Sequence, residues 1–225
     1  MAGVMIVTGG SRGIGAAIAR ESGRRGWHVC VNYRRHGDEA EAVAASIAAA
    51  GGTAVAVPAD VGDEADVTRE QLEAMFDANA FGPFLCAREA VRRMSTARGG
   101  DGGVIVNISS IAAVYGGMPG DVIYAGTKAA VDAMTMGLAR EVGGQGIRVC
   151  GVRPGLVATD LWHDTHIDVE QVNRHARSLV PLGRVGTPEE IAHAVLWLCS
   201  EDAAYVTGTM LDVSGGREID IPPAR

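Results

Sequence analysis

Tyr124 and Lys128 stand four residues apart in the run Tyr-Ala-Gly-Thr-Lys. On a helix, positions i and i+4 lie one above the other, so a phenol and an ammonium at this spacing can point into one site. A free phenol titrates near pH ~10, too high for ready proton exchange at neutral pH, and a nearby ammonium favours the phenolate and lowers that value. The pair is a candidate acid/base couple. Standing alone, the same spacing also describes an ordinary surface pair on a helix.

Far upstream the chain reads Val-Met-Ile-Val-Thr-Gly-Gly-Ser-Arg-Gly-Ile-Gly. Gly9, Gly13 and Gly15 follow a strand-like apolar run, Val4 to Val7, and precede a helix-like run, Ile14 to Arg20. That is the context of a dinucleotide-binding turn, in which glycines let the backbone approach a pyrophosphate held at the exposed amides of a helix N-terminus. Ser11, Arg12 and Ile14 lie within the same turn. A glycine-rich turn without a ligand is the alternative, but glycines at this spacing answer no evident packing need. Together the acid/base pair and the turn specify hydride transfer.

With Thr8-Gly-x-x-x-Gly13-x-Gly15 at one end and Tyr124-x-x-x-Lys128 further on, the chain resembles the short-chain dehydrogenase/reductase family over nearly its whole length. The resemblance implies roles for further residues. Ser110, closing the apolar run Ile105-Val-Asn-Ile-Ser-Ser110, matches the family's catalytic serine, which donates a hydrogen bond to the reacting oxygen. Its neighbour Ser109 reads as a cap of the strand end. Asn79, in Phe76-Asp-Ala-Asn-Ala-Phe-Gly, matches the fourth catalytic residue, a proton relay to Lys128 through water. An asparagine is otherwise unfavourable inside a helix, because its side chain competes for backbone hydrogen bonds. Lys128 would also hold the cofactor ribose, with Tyr124 beside it. In Arg153-Pro154-Gly155-Leu-Val157-Ala-Thr159, the segment that follows a late strand, Val157 and Thr159 would hold the nicotinamide carboxamide and so fix the ring that carries the hydride. Asp60 and Val61 resemble the adenine contact. Cys150 stands where many relatives carry asparagine.

Cofactor choice is legible after the second strand. NAD-specific relatives place an aspartate there to accept from the ribose hydroxyl. Here the position is Tyr33, followed by Arg34 and Arg35, with Arg12 in the glycine turn able to approach the same ribose. Guanidinium groups suit a phosphate, and no carboxylate is present to repel one. The reading is NADP. NAD stays possible if Arg34 and Arg35 are solvated loop charges.

The elements that must position these residues alternate along the chain. Strand-like and helix-like segments run Val4 to Val7, Ile14 to Arg24, Val29 to Asn32, Glu39 to Ala49 and Thr53 to Pro58. The order resumes with a helix around Glu70 to Arg93, strand Val104 to Ile108, helix Ala125 to Glu141, strand Ile147 to Arg153, helix Pro188 to Leu198 and strand Thr209 to Val213. Such alternation predicts an α/β fold, a single doubly wound parallel sheet of Rossmann type with helices on both faces, as one NAD(P)-binding domain over residues 1–225.

Apolar residues make up 47% of the chain and charged residues 21%, with a net charge of −7, which favours a globular body and disfavours a nucleic-acid surface. No apolar run is long enough to span a bilayer and the N-terminus has no signal-peptide pattern, so the expected location is cytoplasmic and no membrane partner is expected. Cys30, Cys86, Cys150 and Cys199 are scattered among apolar neighbours and read as buried free thiols. Between Thr159 and Arg184 the polar run Leu-Trp-His-Asp-Thr-His-Ile-Asp has no clean period. In relatives this region is the substrate lid, and Trp162 is either a pocket wall or a packing contact. His163, Asp164, His166 and Asp168 lack helical His-x-x-x-His spacing, so no metal site is expected.

The expected activity is NADP-dependent interconversion of a carbonyl and a secondary alcohol of a small molecule. The rival is a nucleotide-binding sensor or partner protein on the same fold that does not turn over. Relatives pair the helices corresponding to Glu70 to Arg93 and Ala125 to Glu141 about a two-fold axis, which implies a homotetramer with Phe81, Phe84 and Leu85 in or beside that interface. One element is missing. Asp60 to Val67 ends a strand and starts a helix, while Thr68 starts a later one. The rest of a helix and the central strand that relatives place between them, roughly 35 to 45 residues by ordinary element lengths, have no counterpart at Val67/Thr68, and the expectation is a stretch left out of the sequence as written, with a true deletion as the alternative.

Overall fold

The computed structural model describes residues 3–58, 69–118, 120–159 and 169–217. Among these residues six strands form two parallel three-stranded sheets, ordered β1-β2-β3 and β4-β5-β6. The strands are β1 (Val4–Val7), β2 (His28–Tyr33), β3 (Thr53–Pro58), β4 (Gly103–Ile108), β5 (Ile147–Pro154) and β6 (Met210–Val213). Among the described residues eight α-helices accompany them: α1 (Gly13–Arg24), α2 (Gly37–Ala49), α3 (Arg69–Phe76), α4 (Gly82–Met94), α5 (Ala112–Tyr115), α6 (Val122–Val142), α7 (Val169–Leu179) and α8 (Pro188–Cys199). Contacts divide the chain into two compact units. One holds Met1–Asp60 and Leu156–Leu196, the other Val61–Gly155 and Trp197–Arg225.

In the first unit, β1 and β3 flank β2, with Val7 opposite Val31 and Val31 opposite Ala56. Side chains alternate across a strand, so Val7, Val29 and Val31 share a face, and all are buried together with Ala16, Ala17 and Ile18 of α1 and Ala40, Val43 and Ile47 of α2. Gly23 of α1 lets the two helices close, since a Cβ there would strike the Ile47 side chain. The opposite face is bare: Val4 is 71% exposed, Ile6 67% and Val55 57%. A parallel sheet is ordinarily covered on both faces by its crossover helices. Among the described residues β1 pairs with β2 alone and β4 with β5 alone. This is the condition expected of a chain without the central strand and the helix that precedes it. Val67 and Thr68 themselves lie outside the described residues.

In the same unit, α8 starts with a reciprocal cap. The Thr187 amide donates to Glu190 at 2.9 Å, the Glu190 amide to the Thr187 hydroxyl at 3.4 Å, and Pro188 occupies the first turn. Arg184 pairs with both Glu190 oxygens, at 2.9 and 2.6 Å, and together with the Thr187 amide holds that carboxyl down at about 2.

The second unit is built on β5, whose Val149, Cys150 and Val152 are fully buried. The 21-residue helix α6 lies on it because Val131, Thr135, Ala139 and Val142 recur at helical spacing and are buried. Ala139 and Val142 pack on Ile147 and Val149, while Val131 and Met134 pack on Ala87 of α4. The helix expected over Glu70 to Arg93 is broken in its middle by a five-residue π-helical stretch, Asp77–Phe81, between α3 and α4. The region between Thr159 and Arg184, aperiodic in its first half, holds α7, which buries Ala176. The expectation of four buried thiols fails at Cys86, which is exposed on α4, whereas Cys150 is fully buried and donates to the Val206 carbonyl at 3.4 Å. Helix α4 turns its Cys86 side outward and buries Ala87 instead, so apolar flanks in sequence did not mean an apolar surround.

Candidate active site

Three of the side chains expected to react, Ser110, Tyr124 and Lys128, come from the C-terminal end of β4 and the first turns of α6. Ser110 follows β4 directly, and its hydroxyl oxygen accepts from the Ala112 amide at 3.1 Å, which starts the short helix α5. The same hydroxyl stands near enough to the Tyr124 phenol to favour its ionised form. Lys128, one turn on, places Nζ 5.7 Å from the Tyr124 ring centroid and donates to the Ile108 carbonyl at 3.2 Å. Ser109, expected to cap the strand end, does more: its hydroxyl donates to the Lys128 carbonyl at 3.1 Å and straps β4 to α6.

The electrostatics differ from the expectation that Lys128 lowers the phenol. Burial pushes the Tyr124 phenol up, Asp121 and Tyr115 add to the rise, and the Ser110 hydroxyl is what opposes it. Burial also brings Lys128 down, to about 8, against the pull of Asp132 one turn further along α6. An ammonium that is itself costly to bury near neutral pH is a mobile proton store, not a fixed charge. Asn79 lies half-buried in the π-helical stretch, a feature that often accompanies functional positions.

Sequence reasoning missed a partly buried ion network that includes Asp132. Arg153 Nε lies 2.8 Å from Asp132 and its Nη1 3.1 Å from Asp212, tying β5 to α6 and β6 immediately before Pro154. An aspartate on the apolar face of α6, four residues after Lys128, was the available signal. Pro154 and Gly155 are fixed by the backbone: the Ile111 amide donates to the Pro154 carbonyl at 3.0 Å and the Gly155 amide to the Val213 carbonyl at 3.1 Å.

The nucleotide turn belongs to the other unit. Gly9 and Gly13 have φ of 64° and 53°, values that favour glycine, and a Cβ on Gly15 would strike the Gly9 carbonyl oxygen. Arg12 precedes α1 in an extended conformation and makes no side-chain cap of it, so the amides of the first turn, at Gly13, Ile14 and Gly15, point to an anion site. The turn therefore has the cradle that a cofactor pyrophosphate requires. Thr159 packs beside Gly13, with Cβ 3.4 Å from where a Gly13 Cβ would stand, so one of the expected cofactor residues lies against the turn, while Val157 bridges Gly186. Ser11, Arg12, Tyr33 and Arg34 are partly buried, and Gly37 closes against the Tyr33 ring, where its Cβ would lie 3.2 Å from a ring carbon. Asp60, Val61, Trp162 and the residues of the metal reading, His163, Asp164, His166 and Asp168, lie outside the described residues.

Comparison with known proteins agrees with this arrangement. Residues 3–70 match a family model described as short chain dehydrogenase, and residues 63–218 one described as enoyl-(acyl carrier protein) reductase. An uncharacterized oxidoreductase of Escherichia coli, YgfF, is 39% identical over 95% of this chain and 99% of its own length. Versicolorin reductase 1 of Dothistroma septosporum is 37% identical over 95% of both chains. The crystal structure of acetoin dehydrogenase YohF from Salmonella typhimurium superposes with a TM-score of 0.84 at 28% identity, covering 97% of this chain and 98% of that one. The alignment with the Escherichia coli protein runs over 248 positions against the 225 residues here, so that relative carries positions this chain lacks.

Proposed function

The chain belongs to the short-chain dehydrogenase/reductase family, an NAD(P)-dependent oxidoreductase, and we propose that it interconverts a small-molecule carbonyl and a secondary alcohol using NADP. When bound, the nicotinamide cofactor supplies the hydride for reduction and takes it back in oxidation. As the new C–H bond forms, the carbonyl π pair moves to oxygen, and Tyr124 gives its proton to that oxygen. Ser110 donates a hydrogen bond to the same oxygen and stabilises the charge growing there. Lys128 returns a proton to Tyr124, and Asn79 passes one to Lys128 through water. The observation that carries this reading is Lys128 Nζ 5.7 Å from the Tyr124 ring centroid on α6, with the Ser110 hydroxyl from the end of β4 acting on the same phenol.

Tyr33, Arg34 and Arg12 favour NADP, because the end of β2 offers guanidinium groups and no carboxylate to a ribose phosphate. The whole chain acts as one cofactor-binding domain, a homotetramer in the cytoplasm, with neither a membrane nor a nucleic acid as partner. Among the described residues no helix is long and apolar enough to cross a membrane. Purified protein mixed with NADPH and a panel of ketones, aldoses and acyl thioesters tests the reading. NADPH consumption with at least one ketone is expected. Replacing Arg34 with Asp should then move preference toward NADH by about tenfold, or ~1.4 kcal/mol. A wild type that prefers NADH would overturn the assignment of NADP.

A further inference from the structure

After β6 the chain turns sharply through Ser214, Gly215 and Gly216, with φ of 69° and 86° at the glycines, and the Ser214 hydroxyl accepts from the Gly216 amide at 3.1 Å. That turn brings Arg217 back onto Tyr115, the last residue of α5. Its Nε donates to the Tyr115 hydroxyl at 3.1 Å, and the guanidinium carbon lies 5.4 Å from the ring centroid. Among the described residues Nη2 reaches only the Met118 thioether, at 3.3 Å, and Nη1 is buried without a partner.

This is an unusual way to hold a guanidinium. Its planar Nη1/Nη2 fork matches a carboxylate or another oxyanion, while a thioether is a weak acceptor and an unmet buried donor is destabilising. Among the described residues no carboxylate pairs with Arg217. Asp121, on the same side of the site, has Oδ2 engaged by the Met118 amide at 3.0 Å. Arg217 is also coupled to the reacting pair. Tyr115 bears on the Tyr124 phenol electrostatically, and α5, which ends at Tyr115, starts at the Ser110 hydroxyl. Tyr115 and Met118 are 41% and 49% exposed, so the cluster forms a rim open to solvent.

We propose that Arg217, seated on Tyr115, is a substrate subsite for an oxyanion, so that the preferred carbonyl substrate carries an ionised oxygen beyond the group being reduced. The inference rests on the carbonyl-reductase reading above. The oxyanion is a carboxylate or an ionised phenol, and substrate pairs separate the two. Oxo acids of increasing spacing between carbonyl and carboxylate are compared with their methyl esters, and hydroxynaphthoquinones with their O-methyl ethers, each by kcat/KM with NADPH. At least one ionised member should exceed its neutral partner by tenfold or more. In Arg217→Met that ratio should collapse toward one, and Arg217→Lys, which keeps the charge but not the fork, should retain part of it. Near-equal ratios in the wild type, or an unchanged ratio in Arg217→Met, overturn the proposal. Benzoate provides a readout that needs no substituted protein: it should inhibit reduction of a neutral ketone competitively, and absence of inhibition counts against the subsite. If no carbonyl compound is reduced, the reductase reading fails on its own. The subsite then stands if benzoate raises the melting temperature of the wild type and not of Arg217→Met, and falls if it raises neither.

Discussion

The Ser110 hydroxyl, not the neighbouring ammonium, is what draws the Tyr124 phenol down against its burial and against Asp121 and Tyr115. The residue proposed to anchor the reacting oxygen thus also conditions the proposed acid. Removing either should act on the chemical step and leave cofactor affinity alone.

Tyr124→Phe should lower kcat for reduction by at least ~10³-fold while NADPH binding, followed by fluorescence quenching, changes less than about threefold. Ser110→Ala should cost ~10²-fold in kcat. Wild-type activity in Tyr124→Phe would remove the mechanism.

Burial holds the Lys128 pKa at about 8, below its ordinary value of 10.5. Reduction rates should be level at lower pH and fall as pH rises through 8, where the ammonium that resupplies protons is lost. Lys128→Arg stays protonated in this range and should shift the falling limb upward. Stability has the opposite slope: the unfolded chain binds more protons here than the folded one between about pH 8 and 10.5, so this lysine's contribution makes unfolding harder as pH rises through that window. A stability curve for Lys128→Met that keeps the wild-type slope would contradict the assignment.

Ile6 and Val31 both belong to the first sheet, yet one is 67% exposed and the other fully buried. Ile6→Ser should change unfolding free energy by less than ~0.5 kcal/mol in urea titrations, whereas Val31→Ala should cost about 2 kcal/mol. Inserting between Val67 and Thr68 the segment carried by the Escherichia coli relative should reverse the first result and make Ile6→Ser cost ~2 kcal/mol or more. An already large cost in the chain as it stands would mean that something covers this face.

Phe81, Phe84 and Leu85 are 54%, 47% and 52% exposed along one stretch that leads into α4. Such apolar exposure fits a subunit contact. Light scattering at micromolar concentration should give a tetramer, and Phe84→Asp should reduce it to a smaller species. A monomeric wild type would set this aside.

The sequence by itself determined the parts whose signals are local. The glycine turn, the alternation of strands and helices, and the spacing of Tyr124 and Lys128 follow from backbone freedom and periodicity, which act over a few residues. They agree with β1 through α2 to within two residues and with α6 to within three. The break in the pattern at Val67/Thr68 was legible too, because one element absent from a strict alternation leaves a helix end abutting a helix start. Only the tertiary structure decided the environment of each charge. That burial raises Tyr124 and lowers Lys128, that Ser110 is the opposing contact, and that Arg153 joins Asp132 to Asp212 depend on partners far apart in sequence. The same holds for Arg217, which meets Tyr115 across about a hundred residues of chain. Desolvation and unmet donors are properties of what surrounds an atom once the chain has folded, and no periodicity encodes them.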